Sequence, residues 1–314
     1  MRMNFLKRNI NWVCHHSHLD KSNIITRTLL QESDKHMRDK WYIMDDIKKK
    51  YTRQDLSRRI NQSIQTIVSQ NCRYIRTFVD VDKIVGLMCI EETEKQKREW
   101  KYRGVHIQTA TQPLQGIVGS DENLKLFEKA TEITDIVGCL PSRDYDNFDE
   151  HLDIAFSTAK RLGKPLEAHL DQLNIPIENE TERFCDFVEK YEYQGKARSV
   201  HSISLACKPI EKQKEIAIRL KQLNIGVIVC PSAAISMTQH GNYNAPIHNS
   251  IAPVQILHEA GVNIGLGIDN INDLFMPLCD GNLTFELRLL AEATRIYNID
   301  FLEKIAKNKM GFCD

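Results

Sequence analysis

Eight short β-rich runs recur along the chain with stretches of helical spacing between them, and this alternation constrains the fold more than any other feature. The runs are "NWVCH" (Asn11–His15), "RYIRTFVDV" (Arg73–Val81), "GVHIQTA" (Gly104–Ala110) and "DIVGCL" (Asp135–Leu140). They continue with "PLEAHL" (Pro165–Leu170), "RSVHSI" (Arg198–Ile203), "IGVIVCP" (Ile225–Pro231) and "VNIGLGID" (Val262–Asp269). Before the fifth run, "NFDEHLDIAFSTAKRLGK" puts Phe148, Leu152, Ala155, Phe156 and Ala159 on one helical face. That helix is expected to stop at Leu162-Gly163, because glycine readily takes the left-handed conformation that closes a helix. "PIEKQKEIAIRLKQLN" reads the same way, with Pro209 near its start. Strands alternating with helices imply a parallel sheet, and eight such units imply an α/β fold of the (β/α)8 TIM-barrel type. An open doubly wound sheet is the alternative, but it calls for a Gly-rich phosphate loop after an early strand, and no G-x-G-x-x-G occurs. Past Leu278 the pattern predicts two further helices, from about residue 281. With no internal repeat, low-complexity tract or linker, residues 1–314 read as one barrel domain.

Composition narrows the partners. Lys+Arg and Asp+Glu both number 42, so the chain has neither the basic footprint of a nucleic-acid binder nor that of a polybasic membrane patch. The local run "KKKYTRQDLSRR" reads as a solvated helix face. No apolar stretch approaches the roughly 18 residues needed to span a bilayer. The start "MRMNFLKRNINW" has charge but lacks the apolar core of a signal peptide. Nine scattered cysteines without a C-x-x-C pair read as reduced, mostly buried thiols. The expectation is a cytoplasmic protein with a small-molecule substrate, no nucleic acid and no membrane.

In a barrel, chemistry sits at the C-terminal ends of the strands. The first run ends in His16-Ser17-His18, where side-chain alternation turns His16 and His18 one way and His15 the other. The fifth ends in "EAHLDQ" with His169, the sixth carries "SVHSIS" with His201, and the eighth ends in "GLGIDN" with Asp269. Each alone has an ordinary explanation, a buried core histidine or an aspartate capping the next helix. Jointly they form a nitrogen and oxygen ligand set for Zn²⁺ or Fe²⁺ with room for water.

The stretches "HSHLDKS", "RTFVDVD", "EAHLDQ", "SVHSIS" and "GIDNINDLFMPL" resemble the amidohydrolase superfamily, and more locally its cytosine-deaminase-like branch. The resemblance runs from the first strand to beyond the eighth. It implies that His16, His18, His169 and Asp269 bind one divalent metal ion, and that His201 contacts the hydrolytic water or the substrate. The fourth strand runs into Leu140-Pro141-Ser142, without the bridging ligand that binuclear relatives place there. The implied function is a mononuclear hydrolase that cleaves a C–N bond of a small, cyclic nitrogenous substrate, by deamination or amine release. In it Asp269 passes a proton from water to the leaving nitrogen, and His201 polarises the electrophile.

Departures from the family pattern sharpen the picture. Cytosine deaminases carry H-x-x-E on strand five, whereas the fourth position here is Gln172, an amide that cannot titrate but can bind substrate. The glutamine that reads the pyrimidine after strand three is replaced by Leu114, with Gln115 next. Lys21 is a candidate replacement acid, with a pKa expected to be pushed down near the metal; the alternative is simple pairing with an acid such as Asp20. Asn270 and Asp273 either touch the substrate or cap the following helix. His240, His248 and Asn249 lie in a long segment fit for a substrate loop or for plain surface. Relatives carry a longer lead before H-x-H and a tail, which build a small β-sandwich; that sandwich is expected to be largely missing here. The barrel surface it would leave bare is expected to promote a homo-oligomer or to lower stability. The competing reading is a catalytically inactive metal-binding or scaffold relative.

Overall fold

The computed structural model describes residues 10–237 and 251–312. Each of the eight expected runs forms a strand. In order the elements are β1 (Trp12–Cys14), α1 (Arg27–Glu32), α2 (Met37–Lys48), α3 (Arg53–Val68), β2 (Cys72–Asp80), α4 (Met88–Lys101), β3 (His106–Gln112), α5 (Asp121–Ile133) and β4 (Val137–Cys139). They continue with α6 (Phe148–Leu162), β5 (Leu166–Leu170), α7 (Glu180–Lys190), β6 (Ala197–His201), α8 (Ile210–Gln222), β7 (Gly226–Val229), α9 (Pro231–Ser236), α10 (Val254–Glu259), β8 (Ile264–Leu266), α11 (Leu283–Thr294) and α12 (Ile299–Lys307). Short 3₁₀ turns follow β4 and β6.

All pairings between strands are parallel, in the orders β1-β2-β3 and β4-β5-β6-β7-β8. Two parallel bridges join these arcs, Ala110 with Ile136 and Ser17 with Asp269. Along the second seam the His15 N–H donates to Leu266 O (2.8 Å), Ile268 N–H to His16 O (3.0 Å) and His18 N–H to Asp269 O (3.0 Å). The ring so formed is the expected (β/α)8 barrel, and the seam that completes it runs through the candidate site.

Local sequence accounts for the helices. In α6, Phe148, Leu152, Ala155, Phe156 and Ala159 are buried, and Gly163 closes it at φ 67°. Helix α8 begins just after Pro209, and α11 and α12 are the two expected C-terminal helices. The large core lies between strands and helices, for example Leu56, Ile60 and Ile64 of α3 against Ile75 and Val79 of β2. A smaller cluster fills the barrel with Phe78, Ala110, Ile136, Val200 and Ile228. The eight described cysteines are all unpaired and six are buried, as expected of reduced thiols.

The run "KKKYTRQDLSRR" is solvated at Lys49, Lys50, Arg53 and Arg58, as expected, but its first residue, Lys48, and its last, Arg59, are each 1% exposed. Lys48 reaches Asp80 (3.3 Å) and Asp82, and Arg59 donates to the Asp20 and Ser22 carbonyls (2.6 and 3.0 Å). Long basic side chains bury where carboxylates and carbonyls await their heads, which composition cannot show.

Candidate metal centre and active site

Strand β2 lays out the barrel interior in layers, because its alternate residues face inward. Arg76, lowest, pairs with Glu167 of β5 (2.8 Å), which also holds Arg198 of β6 (2.7 Å). Phe78, next, sets its ring against His16 (4.8 Å between centroids) and His169 (4.6 Å). Asp80, at the C-terminal end, meets Lys21 at 2.5 Å.

The four histidines and Asp269 converge on the Phe78 layer. His16 Nε2 and His18 Nε2 lie 3.1 and 3.2 Å from Asp269 Oδ1, and His201 Nε2 lies 3.9 Å from Oδ2. The His169 ring stands 4.8 Å from that of His16 and 5.3 Å from that of His201. Two overlapping triads, His16–His169–His201 and His16–His18–Asp269, bring their ligand-type atoms within 4.8 Å of one another. His15 points the other way, as expected, and its Nε2 donates to Asn308 O (2.7 Å).

Backbone conformation completes the cluster. Val200 faces the barrel interior, so simple alternation would turn His201 outward. His201 instead has φ 76°, and Asp269 has φ 60°. Both stand in the left-handed region, uncommon for non-glycine residues and characteristic of functional strand ends. Glycines on β8 and just after it make room: a Cβ on Gly267 would lie 2.6 Å from His16 Cβ, and one on Gly265 2.5 Å from the His15 ring.

The electrostatics keep His18, His169 and His201 neutral. Burial lowers His18 to about 3, helped by the Lys21 charge, and burial lowers His201 to about 4. Burial also holds His169 well below the ordinary value. Burial opposes the charge of Asp269, but His16 and His18 outweigh it and keep the carboxyl well below the usual range. Several ring nitrogens have no hydrogen-bond partner among the described residues although buried: Nδ1 of His16, His18 and His201, and both nitrogens of His169. Neutral, buried, unsatisfied imidazoles beside a carboxylate fit a divalent cation.

Above the cluster opens a cavity with about 70 Å³ of solvent-accessible space. Of the sequence-designated residues, His18, His169, His201, Asp269, Lys21, Gln172, Leu114 and Asn270 line it. His16 lies beneath, fully buried. Two do not reach it. The Gln115 amide donates instead to Asp45 Oδ2 (2.9 Å), and Asp273 accepts the N–H groups of Phe275 and Met276 (2.9 Å each) and the Asn270 amide. Asp273 thus caps the segment that follows, which is a turn and not the expected helix. His240, His248 and Asn249 lie outside the described residues.

The Lys21 expectation is corrected. Burial does press its pKa downward, but the carboxylates of Asp20 (3.9 Å) and Asp80 (2.5 Å) prevail, and the net shift is upward. A lysine 2% exposed and clamped by two carboxylates holds its proton.

Sequence reasoning missed Phe78, Asp80, Gln112, Lys40 and Trp41. Asp80 and Phe78 were open to the layering argument once "RTFVDVD" was read as a strand. Gln112 ends β3 two residues past the expected boundary, and its side chain lines the cavity. Lys40 and Trp41 sit on α2, in the connection between β1 and β2, and no local signal turns them toward the mouth.

Comparison with known proteins agrees with this architecture. The chain matches the family model described as "Amidohydrolase family" over residues 13–307. It is 29% identical over 246 residues to an uncharacterized protein of Haemophilus influenzae, covering 77% of this chain and 88% of that one. It is 26% identical over 274 residues to N-isopropylammelide isopropyl amidohydrolase of Pseudomonas sp. (strain ADP), covering 85% of this chain and 64% of the relative. Among solved structures, 5-methylcytosine deaminase from Klebsiella pneumoniae, liganded with 5-fluorocytosine, superposes with a TM-score of 0.86 at 20% identity. That likeness covers 95% of this chain and 72% of the deaminase. The chain belongs to the Amidohydrolase family and is a hydrolase acting on C–N bonds.

Proposed function

We propose that the protein is a mononuclear metal-dependent hydrolase that releases ammonia or an amine from a small cyclic nitrogenous substrate. One observation carries the reading: the Nε2 atoms of three buried histidines, His16, His18 and His201, gather around the Asp269 carboxylate beside a buried His169 whose two ring nitrogens have no partner among the described residues. His16, His18, His169 and Asp269 would hold one Zn²⁺ or Fe²⁺, with His201 beside them. A divalent ion so held would supply Lewis acidity and would lower the pKa of a bound water to about 7.

The chain's own residues supply the rest. Asp269 engages His16 and His18 through Oδ1, which leaves Oδ2, the oxygen facing His201, to accept the water proton. Its depressed pKa keeps it ready to accept and quick to pass the proton to the leaving nitrogen. His201, neutral at working pH, offers Nε2 to the substrate oxygen or nitrogen that gains charge. Gln172 binds rather than titrates. Lys21, held by Asp80 and Asp20, is a fixed positive charge on the cavity wall.

Purified protein assayed for metal content, and for amine release across aminated pyrimidines and triazines with and without added Zn²⁺ and Fe²⁺, tests this. About one metal per chain and turnover abolished by chelation are expected. Failure to take up metal on reconstitution would sink the proposal. Metal uptake without release from any member of the panel would support the inactive relative instead.

A further inference from the structure

Resting on the hydrolase reading above, the side-chain network behind His201 points to what holds that imidazole in the site. Val200 faces the barrel interior, so an ordinary strand would send His201 out toward the helices and Ser202 inward. The opposite is seen. His201 has φ 76° and Ser202 φ 50°, two successive left-handed residues, and across them the side chains change sides. His201 enters the cluster beside Asp269, and Ser202 turns back toward the helix-facing side of β6. Neither residue is glycine, asparagine or aspartate, so the conformation carries a cost that surrounding contacts must offset.

Those contacts converge on the Ser202 hydroxyl. It stands 2.6 Å from the hydroxyl of Ser199, which alternation places on the outer face of β6, and 3.4 Å from that of Thr181 in the first turn of α7. Thr181 is fixed in turn: its N–H donates to Asp171 Oδ2 (3.1 Å), just past the end of β5. The Ser202 N–H donates to Leu170 O (3.1 Å) of β5. Ser199, Ser202, Thr181 and Asp171 are all fully buried, so none can exchange these bonds for bonds to bulk water. Ser202 does not line the cavity, and its route to the site is the backbone it shares with His201.

We propose that Ser202 is a positioning residue for the hydrolysis: its hydroxyl, tied to Ser199 and Thr181, holds the left-handed pair that turns the His201 imidazole into the site. Crystal structures of wild type and Ser202→Ala grown with Zn²⁺ read the geometry without turnover. In the variant, residues 201 and 202 should return to extended backbone and the imidazole should leave the neighbourhood of Asp269. Kinetics read the consequence. With an aminated pyrimidine or triazine that the wild type turns over, Ser202→Ala should lower kcat about tenfold, with KM within about twofold and metal content unchanged. In a His201→Ala background the same substitution should cost less than about twofold, because a residue acting through His201 has nothing left to act on. Ser202→Gly, which lacks the hydroxyl but takes positive φ freely, should recover part of the loss. Should Ser202→Ala fail to fold, Ser199→Ala removes the nearer partner hydroxyl and takes its place in both arms. An equal cost with and without His201 would overturn the proposal, as would a variant structure in which His201 keeps its place. The hydrolase reading fails separately, if the wild type takes up no metal or turns over no member of the panel, and the crystal structures still report on Ser202 in that case.

Discussion

At the scale of single residues, Asp269 and Lys21 illustrate two opposite uses of buried charge. Asp269 is held ionised by the surrounding imidazoles, and in the proposed mechanism it takes the proton from water. Replacing it with Asn keeps the shape and removes the base. Turnover of Asp269→Asn is expected to fall by about a thousandfold even in molecules that retain metal, measured as kcat per bound ion. Lys21, by contrast, is structural charge, shared by Asp80 with Lys48. Lys21→Met would leave Asp20 and Asp80 under-compensated in the interior, a loss of about 3 kcal/mol in urea unfolding. A change below 0.5 kcal/mol would show that the buried pair contributes little.

At the scale of elements, the site depends on how closely β8 approaches β1. The string "NIGLGID" supplies two glycines where the barrel seam brings His15 and His16 against the neighbouring strand. Gly267 is needed for space: an added methyl carbon would stand 2.6 Å from His16 Cβ, 2.8 Å from Cys230 Sγ and 3.0 Å from His16 O. Gly267→Ala is therefore expected to destabilise the fold by about 2 kcal/mol by overpacking and to displace His16. Reduced metal retention during dialysis, compared with a surface alanine control, would register the displacement. Unchanged retention would mean that β8 yields instead.

For the whole molecule, pH dependence follows from carboxyls buried away from the site. Burial, with the charge of Asp171, raises Glu178 to about 8, and burial raises Glu286 to about 7. Unfolded, such groups titrate near the ordinary glutamate value. The folded chain thus keeps protons that the unfolded chain has released, and stability falls as pH rises from about 5 to 8. His18 and His201, lowered by burial, act with the opposite sign below about pH 6.5, where only the unfolded chain takes up their protons. Comparison of wild type with Glu178→Gln between pH 6.5 and 8 isolates the carboxyl: the variant should gain on wild type steadily as pH rises. A constant difference would place the Glu178 pKa below that window. Metal removal is a second test at this scale. Binding to the folded state alone is stabilising, so chelation should lower the melting temperature and re-addition should restore it.

The sequence by itself determined the eight strands, the two C-terminal helices, the glycine-closed α6 and the grouping of His16, His18, His169, His201 and Asp269. These were legible because periodicity and turn chemistry are local, and because a parallel barrel sends every strand end to one face. Tertiary structure alone decided the rest. The left-handed turn at His201 overrides the alternation that would have pointed it outward. Lys21 keeps its proton because Asp80, 59 residues away, stands beside it. Gln112 and Lys40 reach the cavity while Gln115 turns to Asp45. Charge state and side-chain direction depend on neighbours distant in sequence, and only the packed chain determines which neighbours those are.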